Sequence, residues 1–337
     1  MAAERGWLPR AEADARALRT LRFLSAKAPR EHGWFYHWMD ARDGSRVWDS
    51  EVSSIDSAFL LAGVLTARQC FKEDAEFARL AGELYERVDF PWMQAGGTLL
   101  SHGWKPKTGF LGGRWDTYSE HLALDLLAIG SPTHPIPPES WRAWKREWLS
   151  YGGYRTMTAG TPLFTHQYSH AWVDFRGRHD GGPGGTDFFA NSSLATRAHR
   201  AFCIDLAKEF PGYTPDVWGI TASDGPKGYT AWGGPPRVGE IDGTVVPCAA
   251  GGSLALAPDI ALPALQAMRA GFGDKVYGRY GFADAFNPAG GWVDPDVIGI
   301  DAGITLLAAE NLRGGAVWRW FMANPDIPKP LNLAGVR

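Results

Sequence analysis

Apolar residues recur at helical steps along most of this chain, and long glycine-rich loops interrupt them. Residues 9–27 place Leu18, Leu21, Phe23 and Leu24 on one stripe, the signature of an amphipathic helix. Residues 53–70 open on a serine suited to capping and turn Ile55, Phe59, Leu60, Val64 and Leu65 inward. Residues 72–88 repeat the pattern with Phe77, Leu80, Leu84 and Val88. A further helix is read from Asp116, as its cap, through Leu122, Leu124, Leu126, Leu127 and Ile129 to Gly130. Helices are also expected over 141–149, 187–210, 258–272, 300–313 and 316–322. One small hairpin is suggested by the alternation in GWFYHWMD before Asp43-Gly44. Residues 151–186, 211–254 and 273–299 read as irregular. With few strands and no β-α-β alternation, the expectation is an all-α scaffold whose long loops gather into a cleft at one end.

Composition adds one pressing fact. The 337 residues include 16 tryptophans, 41 glycines and 23 prolines. So many indoles either fill an aromatic core or line a cleft. A formal charge of −3 gives no reason to expect nucleic acid or anionic lipid as a partner. No apolar run reaches the length of a membrane span. Cys70, Cys203 and Cys248 lie too far apart for a zinc motif or a disulfide framework. The charged start of the chain lacks the apolar centre of a secretion signal.

Several catalytic patterns fail on their details. HQYSH (166–170) has zinc-helix spacing but carries Gln167 where the glutamate of HExxH would stand, in loop-like surroundings. GGPGGT (181–186) lacks the following lysine of a phosphate loop, and no G-x-S-x-G elbow exists.

The densest chemistry lies in residues 99–121, LLSHGWKPKTGFLGGRWDTYSEH. Trp104 and Trp115 sit in a loop, and Asp116 and Glu120 are expected on one face of the helix that follows. Paired carboxylates with aromatic rings suit glycoside hydrolysis, which uses a protonated acid and a second carboxylate. A capping Asp and a solvated Glu would leave the same residues. Further polar candidates lie in the long loops: His166, Tyr168, Asp174, Arg176, Asp224, Glu240, Asp284 and Asp301.

The longer motifs resemble a known family. VWDSEVSSIDSAFLLAGVL (47–65), ELYERVDFPWM (83–93), GWKPKTGFLGGRWDTYSE (103–120) and IGSPTHPIP (129–137) are similar to the bacterial glucoamylase-like family. So are LFTHQYSHAWVDFRG (163–177), VWGITASDGPKGY (217–229), YGFADAFN (280–287) and IGIDAGITLLAAENLRGGAVW (298–318). Within it they resemble the endo-β-1,2-glucanases of glycoside hydrolase family 144 and their relatives. The resemblance implies one catalytic domain over 1–337, an (α/α)6 toroid, and a β-linked glucan as partner of a monomeric chain. It also implies no metal, no cofactor, and residence in the periplasm, with the cytoplasm as the alternative.

One position departs from the pattern. The family motif D-Y/F-F-E-N-S is here Asp187-Phe188-Phe189-Ala190-Asn191-Ser192, and its glutamate is the leading candidate for the family's general acid. Two readings stay open: an acid removed by a Glu-to-Ala change, as in a chain inactivated to trap substrate, or a divergent chain. The latter uses another acid or binds glucan without cutting it. Asp301, expected at a helix N-terminus, would stay ionised and activate water, or serve as a plain cap. Glu120, if shielded by Trp104 and Trp115, is a second acid candidate, and Asp116 would orient sugar. Trp172, Trp218, Tyr168 and His166 are expected to line subsites, with Asp224 and Glu240. Asp174 and Arg176 either pair with each other or bind hydroxyls. Action on linear or cyclic β-1,2-glucooligosaccharides by exo cleavage or transglycosylation is the alternative within the class.

Overall fold

Side-chain caps fix where three of the longer helices begin in the computed structural model of the chain, which describes residues 1–158, 160–181 and 184–337. Gly182 and Pro183 of the GGPGGT stretch lie outside the described residues. The helices are α1 (Arg10–Ala26), α2 (Ser54–Cys70), α3 (Ala75–Glu86), α4 (Phe90–Met93), α5 (Leu122–Gly130) and α6 (Ser140–Ala143). They continue with α7 (Tyr168–Trp172), α8 (Phe188–Leu206), α9 (Pro247–Gly251), α10 (Pro258–Phe272), α11 (Gly299–Gly314), α12 (Ala316–Met322) and α13 (Pro328–Ala334). Asp74 accepts from the Phe77 N–H at 3.0 Å and Asp187 from the Ala190 N–H at 2.8 Å, each satisfying an orphan donor of its first turn. Ser53 does the same for α2.

The chain divides into two compact units: Met1–Asp116 with His121–Lys145 and Ala316–Arg337, and Thr117–Glu120 with Arg146–Gly315. In the first, α2 packs against α3, α5 and α12, and α13 lies on α5. Every residue of α5 is buried, so this helix is apolar all round rather than striped. A Cβ on Gly130 would meet the Pro330 ring at 2.7 Å, so only glycine lets α13 approach. Trp34, Trp141 and Trp144 fill this core, which accounts for part of the indole excess. In the second unit, α9 packs on α10 and α11, and α8 lies against a hairpin of Trp148–Tyr151 and Tyr154–Met157.

Several expectations are corrected. Asp116 caps no helix: its carbonyl accepts from the Lys145 N–H at 2.8 Å, and α5 starts only at Leu122. Asp116 and Glu120 therefore share no helix face. The stretch 141–149 is one short helical turn followed by a strand, because Gly152 and Gly153 both adopt positive φ and turn the chain into a hairpin. HQYSH is not loop-like, since Tyr168–Trp172 is helical, and α13 adds a helix beyond the expected last one. Residues 273–299 carry two short hairpins, Tyr277–Gly278 with Gly281–Phe282 and Phe286–Asn287 with Trp292–Val293.

Candidate functional site

Asp301 stands in the first turn of α11, three residues after Ile298. There the helix favours negative charge. A loop brings Asp284 against it, and the Asp284 side chain is 1% exposed. One Asp284 oxygen accepts the Asp224 N–H at 2.7 Å; the other, among the described residues, faces only the Asp301 carboxyl. Two carboxylates cannot meet there without a proton between them. Burial first, and the bond to Asp301 second, push Asp284 up to about 8, so it holds the shared proton at neutral pH. Asp301 accepts that proton's bond. Burial raises its carboxyl above the usual range, opposed by hydrogen bonds from Asp284 and from the Cys248 thiol. Desolvation thus works against the helix terminus, which favours the ionised form of Asp301.

Asp294 completes the group. Carboxylate oxygens of Asp224, Asp284 and Asp294 lie within 4.8 Å of one another. These oxygens are the ones that could face a cation, but backbone N–H groups of Asp224 and Asp296 already occupy one oxygen each of Asp284 and Asp294. Tyr229 lies within electrostatic reach. The residue is 71% exposed, yet partial burial first and the charges of Asp284, Asp224, Asp301 and Glu120 second push its phenol above the ordinary range. The aspartates and Glu120 are therefore neighbours of one tyrosine. Asp301 also lines a cavity of about 260 Å³, with Cys248, Tyr277, Tyr280, Phe282 and Thr305.

Glu120 is buried beside α7. The Ser119 hydroxyl donates to its carboxylate and the Ser169 hydroxyl to its carbonyl at 2.6 Å. From the same segment the Tyr118 hydroxyl lies 3.2 Å from Ser192 Oγ, two residues beyond Ala190. Ala190 itself is exposed in the first turn of α8.

The other expected ligands divide. Asp116, Trp104 and Trp115 belong to the first unit. Asp116 pairs with Lys145 at 3.2 Å. The Trp115 indole is buried, donating to Ser54 at 2.9 Å and packed on His102, so it is a core ring rather than a sugar platform. Trp104 is partly exposed in a three-stranded sheet beside Trp92. Trp218 is corrected likewise, being completely buried; Trp172, Tyr168 and His166 are buried as well, His166 on the wall of a small pocket. Asp174 and Arg176 form a two-pronged ion pair at 2.8 and 2.9 Å. Glu240 is exposed beside Lys227, Trp232 and Arg237 at a separate pocket of about 280 Å³. Gln167, in the HQYSH motif, donates to the Ala249 carbonyl and to Ser253 Oγ, both at 2.8 Å, and so ties α7 to α9.

The histidines of this unit are structural. Burial lowers His166 and His170 to about 3 and His199 to about 4, so all three are neutral at working pH. Below about pH 6.5 the unfolded chain binds protons that the folded chain refuses, so stability falls as pH drops toward 4. Melting temperatures measured at pH 7.5, 6 and 4.5 should decrease in that order.

Sequence reading missed Asp294, Tyr229 and Cys248, and left Asp284 without a role. The signal for Asp284 lay in the family-like stretch YGFADAFN.

Comparison with known proteins shows where the chain belongs. A profile of the Glycoamylase family, described as "Putative glucoamylase", matches residues 113–325. An exo β-1,2-glucooligosaccharide sophorohydrolase (non-reducing end) from Parabacteroides distasonis is 28% identical over 98% of this chain and 50% of its own. The chain thus spans about half that relative's length. The endo-β-1,2-glucanase structure from Chitinophaga pinensis, with sophorotriose and glucose, superposes with a TM-score of 0.91 at 29% identity. That match covers 100% of this chain and 84% of the other. A β-1,2-glucanase structure from Parabacteroides distasonis gives a TM-score of 0.91 at 28% identity, covering 99% and 52%. With more than half its length matched by the family profile, and its motifs similar in order, the chain belongs to the Glycoamylase family.

Proposed function

We propose that this chain is a glycoside hydrolase that cleaves β-1,2-linked glucan with inversion, with residues 1–337 as one catalytic domain of the (α/α)6 toroid class. Family membership supports the class, and the relatives that act on β-1,2-glucan support the linkage. The observation that carries the chemistry is the meeting of the Asp284 and Asp301 carboxyls, each with a buried oxygen that finds no other partner among the described residues. A carboxyl pair in hydrogen-bond contact is too close to hold water or a sugar carbon between its members, since inverting enzymes separate their carboxyls by about 6.5–9.5 Å. The pair therefore acts as one unit. Asp301 is the base that takes a proton from water, its basicity raised by burial. Asp284 supports it by donating. The acid comes from elsewhere: the motif this chain resembles carries a glutamate at position 190, and with alanine there the role falls to Glu120, which shares Tyr229 as a neighbour with the aspartates. Asp224 would bond sugar hydroxyls. Non-catalytic glucan binding is the second reading, favoured by Ala190 alone.

The test is reducing-end release from linear β-1,2-glucan, with the anomer of the first product read by proton NMR. An initial α-anomer supports inversion, and absence of release with binding retained sinks the enzyme reading. The rate should climb as Asp301 loses its proton and fall as pH passes about 8, where Asp284 loses the proton it donates. Asp284→Asn keeps an N–H donor that cannot ionise. Its pH profile should keep the acid limb and lose the alkaline one.

A further inference from the structure

We propose that Cys248 is a positioning residue for Asp301, its thiol hydrogen donating to the carboxylate and fixing how that group faces the cavity. The inference rests on Asp301 acting as the base.

The placement follows from helix packing. α9 lies directly on α11, because Gly251 has no side chain: a Cβ there would meet Thr305 Oγ1 at 2.2 Å. A Cβ on Gly252 would likewise meet Ile304 Cγ1 at 3.0 Å. One turn earlier on each helix stand Cys248 and Asp301, side by side on the wall of the 260 Å³ cavity. The glycine contact thus sets the register that brings sulfur to carboxylate.

The thiol is suited to this and to little else. It is 6% exposed, and burial together with the charges of Asp301 and Asp284 pushes it well above the ordinary range. It remains an S–H donor throughout the working pH range and is no nucleophile. An S–H bond is weak, so its effect is on orientation and on the ease of ionising Asp301 rather than on the existence of activity. Other ionisable groups around Asp301 are Asp284 and Asp224 from the loops, Tyr229 within electrostatic reach, and Tyr277 and Tyr280 from the hairpin lining the cavity. α7 meets α11 farther along, where the Asn311 side-chain amide donates a hydrogen bond to the Ala171 carbonyl.

The experiment follows Asp301 in two ways in wild type, Cys248→Ala and Cys248→Ser: by the acid limb of kcat/KM on β-1,2-glucan, and by carboxyl ¹³C NMR titration. The NMR signal is assigned by its loss in Asp301→Asn. In Cys248→Ala both midpoints should move up by about 0.5–1 pH unit, a ~3–10-fold slower rate below the midpoint, and serine should restore them. Cys248→Val, which fills the space without a donor, replaces alanine if the smaller residue loosens the core. Superimposable titrations in all variants, or a serine that shifts as alanine does, overturn the proposal. If no variant hydrolyses glucan, the glucanase reading fails while the NMR titration still decides the placement.

Discussion

Asp301→Asn should lower kcat on β-1,2-glucan by about 10²–10⁴-fold with KM nearly unchanged. The amide preserves the size and most of the hydrogen bonding of the carboxylate but cannot accept a proton from water, and general-base catalysis contributes about that range. The effect should fall on kcat because the lost interaction strengthens only as the proton moves. Asp284→Asn makes the control, since it replaces the neutral partner with another neutral donor at the same place. If the two variants are equally impaired, the base has been assigned to the wrong member of the pair. A folded Asp301→Asn protein with wild-type kcat would remove the mechanism altogether.

Ala190→Glu is expected to act in the opposite direction, raising kcat on natural glucan by about 10²–10⁴-fold. A sugar alkoxide is a poor leaving group and needs a proton in the transition state, which alanine cannot give. The gain should shrink to less than about tenfold with a dinitrophenyl glucoside, whose leaving group departs unaided. Local geometry favours tolerance. Residue 190 is exposed in the first turn of α8, three residues after the capping Asp187, where an acidic side chain also suits the helix. A uniform gain on both substrates would indicate better binding rather than proton donation. No gain on either would leave Glu120 as the acid.

Much of the helical frame was legible. The bounds 258–272 and 316–322 coincide with α10 and α12, and Ser53, Asp187 and the i, i+3, i+4 rows located α2, α8 and α3. These elements are written in local pattern, where cap and stripe agree. The start of α5 was not legible, because Asp116 looks like a cap until Lys145 claims its carbonyl. The Gly152-Gly153 turn was legible in principle, but the tryptophans of 141–148 mimic a helical row.

The amino-acid sequence by itself determined that the protein is helical, rich in indole and glycine, and a relative of glucan-cleaving enzymes, because caps, periodicity and motifs are all short-range marks. It could not tell a buried tryptophan from a sugar platform: Trp218 and Trp104 read alike until packing hides one and leaves the other partly open. Nor could it join Asp284 to Asp301, or Cys248 to either. The meeting of Cys248 with Asp301 depends on the close approach that Gly251 permits between two helices far apart in the chain. Only tertiary structure decides which carboxyls lose their water, and that loss of solvation, more than residue type, sets which one holds the proton.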